Sequence, residues 1–386
     1  MPRLQPDLVR LKELAAELAS TILAANAAAV DREGRWPAES LKAIAEAGLM
    51  GLHVPRRLGG AEQGLLALAV VTEELARGCS SAAMCFGMHS VAAKVLAAKA
   101  TPDHEERFLR PIAQGRHITT LALSEPGTGA FFFLPRTQFT QDGETVRLQG
   151  QKSFVTSGGH ADSYVVSAVP PGEELDPGAF TCFAVENDTP GLEWLADWDG
   201  FGMRGNSSRG VRLEGTSIPA ANLLGSQGDQ IWYVFEVVAP YFIVAMAGVY
   251  LGIAQAALEE AMGHLQTRRH DHTGETLGQA AVLADELAGM WIRVQRARQL
   301  VHHAAELGDA ESPDSALTLF AAKADVAEAV TAVTEAAMRL GGGRGYGRNA
   351  RLGRLLRDAQ AAHVMSPTTH LLRSWLGRSL VGLPLL

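Results

Sequence analysis

LALSEPGTGAFFF, residues 121–133, is the stretch on which the reading of the fold turns. It lies where an Ala-rich, helix-patterned first third gives way to a middle third with two-residue alternation. Ser, Glu, Pro and small turn residues crowd into it, a composition that suits the wall of a cofactor site better than a packed core. Upstream, Leu11, Leu14, Leu18 and Ile22 share one helical face. Pro37 suits the first position of a second helix, with Leu41 and Ile44 turned inward and Gly48 as a left-handed stop. A third helical region covers 67–100 and is interrupted by Gly-Cys-Ser-Ser at 78–81. Downstream, residues 145–148, 164–169, 181–185 and 211–213 alternate or cluster β-branched side chains between turn signals such as Asp142-Gly143. Spacings this short predict hairpins, not βαβ crossovers. The last third returns to spacings of three and four at Leu283, Leu287, Met290, Val294 and Val301, then at Val326, Val330, Val333, Ala337 and Leu340. The expectation is an α+β multi-domain chain: an N-terminal α-helical domain over 1–119, a middle antiparallel β-barrel or sandwich over 120–228, and a C-terminal four-helix bundle over 229–386.

Composition narrows the function classes. With 386 residues, 47% hydrophobic and 20% charged, the chain reads as soluble and globular, with more than one domain. A net charge of -8 and a pI near 5.9 argue against a nucleic-acid surface, which needs a Lys/Arg excess. Three cysteines, without metal-ligand spacing, predict neither a disulfide framework nor a metal site, and point to a reducing, cytoplasmic setting. The opening MPRLQPDLVRLKELAAEL lacks the apolar core of a signal peptide, so export is not expected. Residues 237–258 carry no charge and are long enough to span a bilayer, but Pro240, Gln255 and many Ala and Gly fit a helix buried inside a bundle; no membrane span is expected.

Five separated segments, taken in order, resemble the acyl-CoA dehydrogenase family. They are EAGLMGLHVPRRLGG at 46–60, TEEL at 72–75, the stretch quoted first, GQKSFVTSGGHAD at 150–162, and LGGGRGY with RDA between 340 and 359. The resemblance covers nearly the whole chain and implies an α, β, α domain order with FAD as cofactor. By that resemblance Phe154 lies against the isoalloxazine ring and Thr156 reaches its N5, while Ser124, with the backbone of Leu121 and Leu123, serves the pyrimidine side and the wall continues to Gly129. Thr368 is a further cofactor contact implied in the same way. The glycine run follows a helical pattern and lacks the GxGxxG and GxxxxGK spacings, so it is neither a Rossmann nor a Walker loop; read alone it is a glycine-ended helix. The resemblance implies that Gly341, Gly342 and Gly343 contact the ADP half of an FAD on a neighbouring subunit, with Arg268 and Gln279 at its pyrophosphate. Asp271 and His272 stand where the family has an aromatic and a Gly, and the cluster at 268–272 reads equally as a solvated turn.

The implied reaction is α,β-dehydrogenation of an acyl thioester on coenzyme A or a carrier protein, as in fatty acid metabolism. Hydride goes to flavin N5 and electrons pass to an electron-accepting flavoprotein; the implied assembly is a homodimer or homotetramer. Removing a weakly acidic α-proton calls for a carboxylate in a dry pocket. The family's Glu falls shortly after Arg-Asp-Ala, and here Ser366 occupies the position. A hydroxyl does not replace a carboxylate unless another base activates it. Glu236 and His370 are the nearby alternatives, each also readable as a surface Glu or a capping His. After Gly129 the family's Ser-Asp becomes Ala130-Phe131, followed by Phe132 and Phe133. Ala130, Phe131 and Phe133 are the expected substrate contacts, suited to an aromatic or bulky apolar acyl group, unless Phe132 and Phe133 bury beneath the β domain. Two other functions stay open: an oxidase or monooxygenase on the same fold, where loss of the Glu is tolerable, and an FAD-binding protein without turnover.

Overall fold

The computed structural model describes residues 5–172, 180–228 and 232–385. Helix α1 (Pro6–Leu18) runs through a π turn into α2 (Ala24–Glu33), followed by α3 (Ala38–Glu46), α4 (Leu65–Gly78), α5 (Ser80–Ala98) and the short α6 (Pro102–His104) and α7 (Arg110–Ala113). Gly34 and Gly48 take φ of 63° and 77°, the left-handed conformation that ends α2 and α3 at little cost only for glycine. Pro37 stands one place earlier than expected, as the cap residue of α3. The break at 78–81 is a single extended residue, Cys79, between α4 and α5. All three cysteines are free and buried.

Among the described residues eight strands follow: β1 (Thr119–Ala122), β2 (Gln138–Asp142), β3 (Thr145–Val155), β4 (Ser163–Ala168), β5 (Thr181–Glu186), β6 (Leu192–Trp194), β7 (Arg209–Pro219) and β8 (Leu223–Leu224). They form two four-stranded sheets, ordered β1-β4-β5-β8 and β2-β3-β7-β6. Asp142-Gly143 turns the β2–β3 hairpin, in which Asp142 faces Thr145. Among the described strands every pairing is antiparallel except β1 with β4, which run parallel with Thr119 opposite Ser163, and an isolated parallel bridge joins Gln138 to Val169. The excursion after β1 and the β2–β3 hairpin lie between these two strands, so the chain re-enters the first sheet in the same direction. Leu148 and Leu213 from one sheet meet Tyr164 and Phe183 from the other in a separate core, with the Phe139 and Phe183 rings 5.1 Å apart across it.

The remaining helices are α8 (Ala239–Thr267), α9 (Ala281–Asp309), α10 (Ser315–Gly345), α11 (Arg351–Ala359), α12 (Ala361–Val364) and α13 (Thr369–Leu380). Helix α8 is buried along most of its length and crosses α4 closely. A Cβ on Gly248 would meet Thr72 Oγ1 at 2.0 Å, and one on Gly252 would meet the Glu73 carbonyl at 2.2 Å, so two glycines one turn apart set that approach. Beside the crossing, Arg298 of α9 donates to Glu73 at 2.8 Å and to Gln255 at 2.8 Å, tying three helices through buried charges. The first and last thirds of the chain share one continuous core, from Leu8 to Leu372, onto which the β1-β4-β5-β8 sheet packs one face through Leu121, Val165 and Ala184, while the space between the two sheets is a second core. Three helical stretches, Pro6–Glu33, Ser80–Ala98 and Tyr233–Thr267, are long and apolar enough to cross a membrane by length and composition only; 78% of the most apolar window, in the last, is buried inside the protein.

Candidate active site

Beyond β1 the chain leaves the sheet, and Glu125 pins the excursion. Its carboxylate accepts from the backbone N–H of Arg136 at 2.6 Å and of Thr137 at 3.0 Å, and pairs with Lys152 at 2.6 Å. Lys152 is fully buried on β3 and also donates to the Ser167 carbonyl at 2.6 Å. Burial alone raises the Glu125 carboxyl, but the Lys152 ammonium and the hydrogen bonds outweigh it and hold it below the usual carboxylate range. The looped segment so held forms one wall of a cavity of about 890 Å³ at the junction of the sandwich with α8, α10 and the segment between α11 and α13.

The part of the cavity wall near β3 is aromatic. Phe154 sits at a register break between Lys152 and Val155 with φ of 55°, an unfavourable conformation for a side chain of that size. The bulge turns its ring out of the sheet, where it is 69% exposed and meets Trp198 edge to face at 6.5 Å. Phe201, 71% exposed, lines the same wall. Behind them the Thr156 and Ser208 hydroxyls lie 3.4 Å apart, and the buried Asn206 Oδ1, in a residue that lines the cavity, has no hydrogen-bond partner. Exposed aromatic faces beside unspent polar atoms fit a flat, mostly apolar ring with a hydrogen-bonding edge, which is the chemistry of a flavin.

Arg-Asp-Ala proves to be a clamp for this wall. Arg357 pairs with Asp31 at 2.5 Å and donates to the Phe201 carbonyl at 3.0 Å, while the buried Asp358 accepts from the Met203 N–H at 2.6 Å. A Cβ on Gly202 would meet the Arg357 carbonyl oxygen at 2.3 Å, so the loop and α11 touch backbone to backbone.

The third wall is the segment from His363 to Thr368. Ser366 donates to the Ala130 carbonyl at 3.5 Å, so the two departures from the family pattern touch each other on the cavity wall. His363 also lines it, with Nδ1 3.0 Å from the Thr369 hydroxyl and Nε2 3.0 Å from that of Thr331. The Thr331 hydroxyl also donates to the Ala327 carbonyl at 3.1 Å, so both ring nitrogens of His363 are engaged by hydroxyls that α10 and α13 hold in place. Behind this segment Lys323 of α10 is fully buried and donates to the carbonyls of Met365 at 3.1 Å and Pro367 at 2.7 Å.

Leu121, Leu123, Ser124, Gly129, Ala130, Phe133, Phe154, Thr156, Ser366 and Thr368 all border this one cavity. Phe131 does not: it is 45% exposed outside it, and Phe132 takes its place on the wall. Turns from Phe131 N–H to the Thr128 carbonyl and from Leu134 N–H to the Phe131 carbonyl reset which side chains face inward. Arg268, Gln279, Gly341, Gly342 and Gly343 also lie away from it. The Gln279 side chain is spent locally, accepting from the Thr276 N–H at 2.7 Å, and Gly342, at φ 51°, interrupts α10. Glu236 is exposed off the cavity wall. His370 is exposed in the first turn of α13, outside the cavity, because Thr368 and not a continuing helix follows Pro367. Residues absent from the sequence reading but present on the walls include Trp198, Phe201, Phe235, Phe242 and His363. The aromatic spacing around β6 and α8 carried no motif that could have drawn attention to them. Among the described residues no group of three or more His, Cys, Asp or Glu could hold a metal.

Family models described as acyl-CoA dehydrogenase N-terminal, middle and C-terminal domains match residues 5–116, 120–216 and 242–381. The mitochondrial short-chain specific acyl-CoA dehydrogenase of Bos taurus is 32% identical over 94% of this chain and 87% of its own. Cyclohex-1-ene-1-carbonyl-CoA dehydrogenase of Geobacter metallireducens is 30% identical over 98% of this chain and 97% of its own. Among solved structures, butyryl-CoA dehydrogenase from Megasphaera elsdenii superposes with a TM-score of 0.91 at 25% identity, covering 98% of this chain and 99% of that one.

Proposed function

Since the chain belongs to the acyl-CoA dehydrogenase family, we propose that it carries out FAD-dependent α,β-dehydrogenation of an acyl thioester whose acyl group is aromatic or bulky and apolar. The observation that carries the reading is the single cavity in which Phe154, Thr156 and Ser124 face Ala130, Phe132 and Ser366. Phe154 and Phe201 would cover the flat face of the isoalloxazine, with Thr156, Ser124 and Thr368 at its polar edge. When bound, FAD accepts the hydride that leaves the β-carbon of the substrate. Phe132, Phe235, Phe242 and Ile243 add apolar lining to the cavity, which suits an apolar acyl group.

Assembly and context follow the same reading. Trp291 and Ile292 leave an exposed apolar patch on α9, which supports a homodimer or homotetramer. The distance of Arg268, Gln279 and Gly341 to Gly343 from the chain's own cavity supports their service to a neighbouring subunit's FAD. The proposed electron acceptor is a second flavoprotein, and the proposed setting is cytoplasmic acyl-thioester and fatty acid metabolism.

A specific observation favours a second reading. Of the titratable groups that line the cavity, Glu125 is held by Lys152, Arg357 by Asp31, and both His363 nitrogens by hydroxyls. An oxidase or monooxygenase on this scaffold, working with reduced flavin and dioxygen, needs no free carboxylate. The purified yellow protein, mixed anaerobically with butyryl-CoA, cyclohexanecarbonyl-CoA and 3-phenylpropanoyl-CoA, separates the two. Loss of flavin absorbance, greatest with the bulky thioesters, is the expected result. Bleaching by none of them, with oxygen uptake once the flavin is reduced chemically, would transfer the assignment to the second reading, and a protein that binds no flavin would end both.

A further inference from the structure

The segment that follows α13 returns to the cavity. Gly382 takes a φ of 73°, and this left-handed turn sends the chain back toward the helix it has just left. Arg378 clasps the returning residues with two of its groups. Its carbonyl accepts from the N–H of Val381 at 3.2 Å and of Leu383 at 2.9 Å, and its Nε donates to the Pro384 carbonyl at 2.6 Å. Val381 and Leu383 stay 71% and 51% exposed. Of residues 381–385 only Leu385 is not exposed; it packs against the main core and lines the cavity. Residues at the edge of a fold stay loose unless something ties them down, and here the tie delivers one leucine to the cavity wall.

The surroundings of that leucine decide what it meets. Trp375 of α13 and Phe320 of α10 line the same cavity, with their rings 5.5 Å apart and tilted by 49°. Arg378 follows Trp375 by one turn of α13, so the clasp and the aromatic pair share one helix end. Phe320 precedes Lys323 by one turn of α10, and Lys323 holds the carbonyls of Met365 and Pro367, so this patch adjoins the segment that carries Ser366. The ribityl hydroxyls and diphosphate of FAD call for hydrogen-bond donors and cations, which two hydrocarbon side chains and an indole face do not supply. An apolar acyl group calls only for surface of the right shape.

We infer that Leu385 is a specificity-determining residue of the acyl site, and that Arg378, which does not line the cavity, acts through it as a positioning residue by clasping the segment that carries it. The segment after α13 is then a wall laid in place from outside, which sets how much room the acyl group has. This rests on the thioester reading given above.

The test compares anaerobic bleaching of the flavin-loaded protein by 5-phenylpentanoyl-CoA and by 3-phenylpropanoyl-CoA, as the ratio of the two second-order rates. Leu385→Ala raises the ratio of longer to shorter substrate by about 10-fold, the low end of what a methylene is worth in an apolar pocket, and Leu385→Trp lowers it by a similar factor. Arg378→Leu, which removes the Nε donor, shifts the ratio in the same direction as Leu385→Ala and adds little to it in the double variant, because both open the same wall. Arg378→Lys, which keeps a donor, recovers part of the wild-type ratio. A ratio unmoved in both Leu385 variants overturns the inference, as does a loss of flavin with an unchanged ratio, which would give the segment to the cofactor. Arg378→Leu and Leu385→Ala effects that multiply independently would overturn the clasp. Leu385→Phe gives the same discrimination if the Trp variant does not accumulate. A wild-type flavoprotein bleached by neither thioester overturns the functional reading and this role with it, whereas bleaching with unmoved ratios removes this role alone.

Discussion

The two halves of the cavity are built on different physics. The side formed by residues 121–129 and β3 is rigid and over-determined: Glu125 and Lys152 form a fully enclosed ion pair, Arg357 and Asp358 bolt the 198–208 loop to α11, and Phe154 is held in a backbone conformation it would not choose. Opposite it, residues 130–133 and 363–368 meet mainly through apolar surface, with a long Ser366 to Ala130 contact and a lone lysine behind. Strain and buried charge are concentrated where a cofactor of fixed shape must fit. The half that must accommodate a substrate is smoother, and it is the half that departs from the family pattern.

The comparison can be broken most decisively at Ser366. If the cavity is complete except for its base, Ser366→Glu should create or raise α,β-dehydrogenation by about 10²–10⁴-fold, the usual span for a positioned general base, measured as anaerobic bleaching rate with 3-phenylpropanoyl-CoA. No change would place the obstacle in residues 130–133 instead. On the rigid side, Glu125→Leu leaves Lys152 buried without its partner and is expected to cost about 3–5 kcal/mol in urea unfolding; a loss below 1 kcal/mol, the range of an exposed pair, would show that this wall is not held as described. Phe154→Gly relieves the positive φ and removes the ring at once. It should stabilise the flavin-free protein by up to about 1 kcal/mol while weakening FAD binding roughly tenfold. Equal effects of the same sign on both would contradict strain held for function.

The smallest effect is a slope. The Lys323 amine is lowered from an ordinary 10.5 to about 7 in the folded protein, so between those values the unfolded chain binds a proton that the native state does not. Wild-type stability relative to Lys323→Met should therefore rise with pH from about 7 to 10.5 and be flat below, as read from the difference in urea midpoints. A flat difference throughout would mean the amine keeps its proton in the fold.

How much of this was legible in the sequence follows the same division. Motif-dense segments such as 121–129 and 150–162 pack several special requirements into few residues, so their placement around one cavity could be read from the letters alone. Phe131 was mistaken for its neighbour because two consecutive turns, and not a strand, decide which of three identical side chains faces inward. Lys323 was invisible for another reason: a single lysine in an Ala-rich helix ordinarily lies on the wet face, and only the packing of residues 365–367 against α10 shows otherwise. Trp198 and Phe201 reach the site through a loop clamped by Asp358, a contact 155 residues away in the chain that no local pattern announces. The middle sheets were read as antiparallel throughout, and the one parallel pair, β1 with β4, reflects a long excursion whose path depends on the Glu125 anchor.

The core shared by the first and last thirds of the chain also sets an order of events during synthesis. Helices α1 to α5 emerge early but cannot cover their apolar faces until α8 and α10 have been made, whereas the core between the two sheets can fill once β8 has appeared, leaving the other face of the β1-β4-β5-β8 sheet, with Leu121, Val165 and Ala184, to wait with the helices. The middle module can thus close while the first helices are still waiting, exposed and in need of protection by chaperones. A chain that stalls on the ribosome just after β8 would leave a sandwich with a filled interior but one adhesive outer face, tethered to an unfinished helical segment.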